Sequence, residues 1–142
     1  YAMRTALDML QAEGLETVWA RHAIFADAVR AAVADWAAPG GLEFNVLDPR
    51  HRSNSTTTVL TGNIDGERLR RLCEDYAGLT LGIGLGELAQ RSFRIGHMGA
   101  LTPPMVLGTL GTVEATLTAI VGPMPDSGVA SAARVIATAF NS

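Results

Sequence analysis

Residues 91–99, Arg91-Ser92-Phe93-Arg94-Ile95-Gly96-His97-Met98-Gly99, carry a period-two pattern. Phe93 and Ile95 fall on one side, and Ser92, Arg94 and Gly96 on the other. Such alternation makes a strand with one buried face, and it sets Arg94 on the opposite face between two residues too small to cover it. A guanidinium held on a rigid element in this way can grip a carboxylate through two parallel hydrogen bonds. The plain alternative is a solvated arginine on a half-buried strand. Just upstream, Gly82-Ile83-Gly84-Leu85-Gly86 reads as a turn that permits tight backbone geometry beside the Arg94 strand. It is not a dinucleotide-binding fingerprint, because its last spacing is short and a strand follows where a helix is required. Just downstream, Thr102-Pro103-Pro104 opens a helix.

The same patterns organise the rest of the chain. Leu42-Glu43-Phe44-Asn45-Val46 alternates, Ser55 to Thr61 is a β-branched run, and Leu79, Leu81 and Ile83 alternate into the glycine turn, so each predicts a strand. A short helix spans Tyr1 to Glu13 and ends at Gly14. A long one runs from Leu15 to about Trp36, with Val18, His22, Phe25, Val29, Ala32 and Trp36 on one face, Trp19 and Val33 widening it, and Pro39-Gly40-Gly41 as its break. Asp65 reads as the cap of a third helix, with Ile64 and Leu69 at staple spacing, Leu69, Leu72, Cys73 and Tyr76 on its apolar face, and Gly78 at its end. Val106, Leu110, Val113, Leu117 and Ile120 mark a fourth, capped by Thr102. After the linker Gly122-Pro123-Met124-Pro125, Asp126 or Ser127 starts a last helix with Val129, Ala133, Ile136 and Phe140 on one side. Strands this few and this close do not build repeated βαβ units. The expected fold is α+β, a small antiparallel sheet of about three to four strands covered by helices.

At 142 residues the chain suits one domain with a real core. A net charge of −3 has the wrong sign for a nucleic-acid binder. No apolar run is expected to reach the length that spans a bilayer, and no stretch resembles a signal peptide. The single cysteine, Cys73, excludes an internal disulfide and fits a reducing, cytoplasmic compartment. It reads as a small core residue, because no histidine partner lies near it in sequence. His22 reads as a packed residue satisfied by one hydrogen bond. The basic loop Asp48-Pro49-Arg50-His51-Arg52-Ser53-Asn54 lacks the glycine nest of a phosphate site and reads as solvated. Neither a paired cysteine–histidine metal spacing nor a serine in a nucleophile elbow is present.

Three stretches, ALDMLQAEGLETVWARHA (6–23), TTTV (56–59) and GIGLGELAQRSFRIGHMGALT (82–102), stand in an order that resembles the C-terminal, small domain of class V pyridoxal-phosphate aminotransferases. The similarity is to the alanine–glyoxylate, serine–glyoxylate and pyridoxamine–pyruvate group, of fold type I. It covers roughly Tyr1 to Val121, with a weaker echo from Ser127, and departs at Ala89-Gln90, where a glycine before a basic residue is usual. The resemblance divides the chain into the end of an interdomain helix (1–14), the small domain (15–121), and a linker with a C-terminal helix (122–142). It implies that Arg94 binds the substrate α-carboxylate. It implies a homodimeric parent enzyme with pyridoxal 5'-phosphate, a preceding large domain, and amino transfer between a small amino acid (of serine, alanine or aspartate type) and glyoxylate or pyruvate.

Such enzymes hold the cofactor on a lysine amine, and all 11 basic residues here are arginines. The chain alone is therefore expected to bear no catalytic, cofactor-binding or metal-binding residue and to be inactive. The missing initiator methionine and a start that already reads as helix suggest a piece of a longer protein. His97, two residues beyond Ile95, is expected to pack or to support the pocket from behind. Two other readings stand beside this one: a free-standing module that senses a small acid through Arg94, and a structural dimerisation domain. The parent reading frame separates them, since an upstream domain with a lysine after an apolar strand belongs only to the enzyme.

Overall fold

The computed structural model describes residues 1–140, and residues 38–40 by their backbone. Among the described residues, five α-helices accompany a four-stranded sheet: α1 (Ala2–Glu13), α2 (Leu15–Gly40), β1 (Glu43–Phe44), β2 (Thr56–Leu60), α3 (Gly66–Ala77), β3 (Gly82–Ile83), β4 (Ser92–Gly96), α4 (Pro103–Val121) and α5 (Gly128–Ala139). Every strand pair is antiparallel, in the order β1-β2-β4-β3, as an α+β fold requires. The register sets Thr57 beside Ile95 and Val59 beside Phe93 on the inner face, where Val59 and Phe93 are inaccessible to solvent. The opposite face carries the row Thr58, Arg94, Gly82.

The inner face packs with α2, α3, α4 and α5 into one core. Its centre is Trp36, Phe93, Leu69, Leu110 and Leu117, all fully buried; each large apolar side chain removed from water in this way contributes about 1.5–3 kcal/mol. The expected stripes of α2 and α4 line this core. Asp65 caps α3, accepting from the amides of Glu67 and Arg68, and Ser127 caps α5, accepting from that of Ala130. Thr102 stands at the start of α4 without a side-chain cap bond.

Several expectations need correction. Helix α2 runs on to Gly40, and Gly41, in the left-handed region at φ 65°, ends it; a proline in a last turn removes only one backbone bond. β1 and β3 are two residues each, because Leu42 and Leu81 bury themselves outside the ladder. Trp19, Tyr76 and Phe140 lie in solvent, 62%, 85% and 74% exposed, and in α5 it is Ala132, not Ala133, that is buried. By length and composition α4 is long and apolar enough to cross a bilayer, with a mean hydropathy of 1.4. The expectation that no run reaches that length fails because threonines, glycines and Glu114 interrupt the run to the eye. One stripe of it packs against α2, α3 and α5, while only 28% of that apolar stretch is buried.

Candidate functional site

Arg94 sits in the middle of β4 on the face turned away from the helices. Its neighbours in the row are Thr58 on β2 and Gly82 on β3. The side chain leans over β3, where a Cβ on Gly82 would come within 3.2 Å of the Arg94 Cβ and 3.4 Å of its Nε. Arg94 Nε donates to the Ile83 carbonyl at 2.7 Å, the one hydrogen bond of this guanidinium among the described residues. Its two terminal nitrogens make no hydrogen bond among the described residues. Beside it opens a cleft of about 480 Å³, walled by Ser55, Thr56, Gly82, Gly96, Met98 and Thr109.

The expectation of two small flanking residues holds on one side. Gly96 is open, but Ser92 is fully buried and donates to the Leu88 carbonyl at 2.9 Å. Gly84 presses on it, so closely that a Cβ there would meet Ser92 Oγ at 2.2 Å. The glycine turn therefore closes the sheet at Ser92 and leaves it open toward Gly96.

His97 lies on the inner side and is fully buried. Its Nδ1 is 3.1 Å from the Asn54 carbonyl and its Nε2 is 2.9 Å from Thr57 Oγ1. With a proton on Nδ1, both nitrogens are satisfied, since the Thr57 hydroxyl then donates to Nε2. Burial, first of all, holds its pKa below the usual histidine value; the Asn54 carbonyl pulls the other way. His97 thus packs behind the Arg94 strand and does not face the cleft.

Helix α2 also ties down the loops at the same end of the sheet. The Gly99 amide donates to His22 Nε2 at 2.9 Å, and Arg21 donates to the Gly99 carbonyl at 2.5 Å. Arg30 donates to the Ser53 carbonyl at 2.6 Å and to Asn54 Oδ1 at 3.2 Å. The basic loop is spent locally. Arg50 pairs with Asp48 at 2.7 Å and holds that carboxyl below its usual range, while Arg52 donates to the Val46 and Leu47 carbonyls and lies 3.9 Å over the Phe44 ring. Cys73 is buried against Thr116, and desolvation raises its thiol pKa, the opposite of what a nucleophile needs. Residues that the patterns did not single out are Ile83, whose carbonyl holds the guanidinium, and Glu114, the lone charge on α4. An isolated carboxylate in an apolar helix is a readable signal, whereas a backbone carbonyl has none.

No family model matches the chain. A serine–glyoxylate aminotransferase of Arabidopsis thaliana is 39% identical over 134 residues, 93% of this chain and 32% of that protein. The crystal structure of a ureidoglycine–glyoxylate aminotransferase from Bacillus subtilis superposes with a TM-score of 0.84 at 29% identity, over 96% of this chain and 35% of that one. That of a pyridoxamine–pyruvate aminotransferase from Mesorhizobium loti does so with a TM-score of 0.81 at 31% identity, over 95% and 34%. The chain spans about a third of the length of the curated relatives it matches.

Proposed function

Because the chain is homologous over nearly its whole length to one third of these aminotransferases, we propose that it is the C-terminal small domain of a pyridoxal-phosphate-dependent transaminase. In this reading residues 1–14 end an interdomain helix, 15–121 form the small domain, and 122–142 add a linker and a last helix. The parent works as a homodimer in a reducing cytoplasm. It moves an amino group between a small amino acid and glyoxylate or pyruvate, the substrates named for the relatives.

Arg94 is the part of the site that this chain supplies. The observation that supports this is a guanidinium anchored at Nε, with no other hydrogen bond among the described residues, on a residue that lines an open cleft. A carboxylate seated there is fixed in direction as well as place, because two parallel bonds define a plane. That orients the α-carbon and its amine relative to the rest of the active site. Pyridoxal phosphate, when bound by the parent, supplies the electron sink for amino transfer. The residues present here do not fit a covalent seat for it, since the chain has no lysine. The isolated chain is accordingly inactive, and its role is confined to the carboxylate.

The test is substitution in the full-length protein. Arg94→Ala is expected to cost about 2–5 kcal/mol of transition-state stabilisation, the range for removing one partner of a buried charge pair. Arg94→Lys should recover only part of that, because an ammonium lacks the planar fork. Wild-type kcat/KM in the alanine variant removes Arg94 from the site.

A further inference from the structure

We infer that Gly82 is a positioning residue, whose missing side chain and neighbouring Ile83 carbonyl aim the Arg94 guanidinium so that the substrate carboxylate is gripped end-on, by the two terminal nitrogens alone. The inference rests on the reading of Arg94 given above.

A guanidinium offers a carboxylate two bidentate edges. One pairs Nε with a terminal nitrogen, and the other pairs the two terminal nitrogens. Here Nε–H is already given to the Ile83 carbonyl at 2.7 Å, so the first edge is taken. The register shows why the side chain lies on that side. Arg94 stands between Thr58 on β2 and Gly82 on β3. Thr58 occupies its own side of the row; Gly82 leaves its side vacant, and the stem of Arg94 fills it. A Cβ at position 82 would stand 3.2 Å from the Arg94 Cβ and 3.4 Å from both its Nε and its carbonyl oxygen. Arg94 or β3 must then shift by a few tenths of an ångström, which moves Nε relative to the Ile83 carbonyl. β3 is only two residues long and edges the sheet, so it holds this geometry without a long ladder.

The test uses the full-length enzyme with Gly82→Ala and Gly82→Val. Both side chains favour a strand over glycine, which offsets part of the strain, and a thermal melt of each variant reads what remains. With the amino acid donor, kcat/KM should fall roughly tenfold for alanine and about a hundredfold for valine, chiefly through KM, as expected of a misdirected binding group. A simple alkylamine has no carboxylate, and its slow half-reaction, followed by cofactor absorbance, should be unchanged. Wild-type kcat/KM for both variants with the amino acid overturns the inference. So does an equal loss with amino acid and alkylamine, which would mark a structural defect. If Arg94→Ala itself leaves the amino acid reaction intact, the assignment of Arg94 fails, a separate outcome.

Discussion

His97 joins the start of β2 to the end of β4. Its ring spans the Asn54 carbonyl and the Thr57 hydroxyl, and its own amide donates to the Ser55 carbonyl at 3.0 Å. His97→Leu leaves a buried carbonyl and hydroxyl without partners and should cost about 1–3 kcal/mol, read from urea midpoints. Acid should act through the same residue. Burial, the largest effect, depresses the pKa together with Arg30 and His22, which oppose a positive charge, against the Asn54 carbonyl and Asp27, which favour one. The unfolded chain therefore takes up this proton at a higher pH than the native one. The stability His97 contributes is complete above the ordinary histidine value of 6.5 and is lost as pH falls through the depressed native value. Between pH 7.5 and 5, about the window in which histidines titrate, His97→Leu should flatten the fall in midpoint; an unaltered slope counts against this. The sequence left His97 between tuning the pocket and packing behind the strand, and only its complete burial decides for packing. The lean of Arg94 was not legible there, because it depends on which strand pairs with the free edge of β4.

Among the elements, α5 is tied to its neighbours by two carboxylates, Asp35 of α2, which accepts from Ser131 Oγ, and Glu114 of α4. Glu114 of α4 accepts from Trp36 Nε1 at 2.9 Å, Ser127 Oγ at 2.8 Å and the Val129 amide at 3.2 Å. Burial works against its charge, but these bonds outweigh it and hold its pKa below the usual range. Glu114→Ala strips three donors of their acceptor and should lower stability by about 2–3 kcal/mol in thermal or urea melts. A melt matching the wild type would mean that apolar packing and the Ser131–Asp35 bond hold α5 without Glu114. The helices were legible because caps and stripes agree. The width of a stripe was not, since Trp19, Tyr76 and Phe140 continue the period past the last neighbour that could cover them.

The whole molecule leaves one end bare. No residue of α1 is buried; Met3, Leu7 and Leu10 stand in solvent at helical spacing, with Leu15 and Trp19 exposed beyond them. The helix does not fold back on the sheet. It leans on α2, held at its end by Glu13 and Arg21, 2.7 Å apart. An apolar face of this kind seeks cover, and in the proposed enzyme other parts of the protein supply it. The isolated chain should therefore self-associate through α1, and sedimentation velocity over a wide concentration range should show it. Deleting residues 1–14 should shift the chain toward monomer. A strict monomer at the highest soluble concentration, before deletion, would weaken the case that this face is an interface. The fold class was readable from the count and spacing of strands. The order β1-β2-β4-β3 was not, because adjacency in sequence suggests two hairpins and does not say which edges meet.

The fit of α5 against α2 also bears on how the chain is made. Gly128 lies so close to Trp36 that a Cβ would stand 2.5 Å from its indole nitrogen and 2.8 Å from the Ala32 carbonyl. The helix whose residues are synthesised early is thus sealed by the one synthesised late. A nascent chain that has reached the end of β4 holds every strand and still has nothing to lay over the indole. The unit is therefore expected to close only once α5 has emerged, with Trp36 uncovered until then.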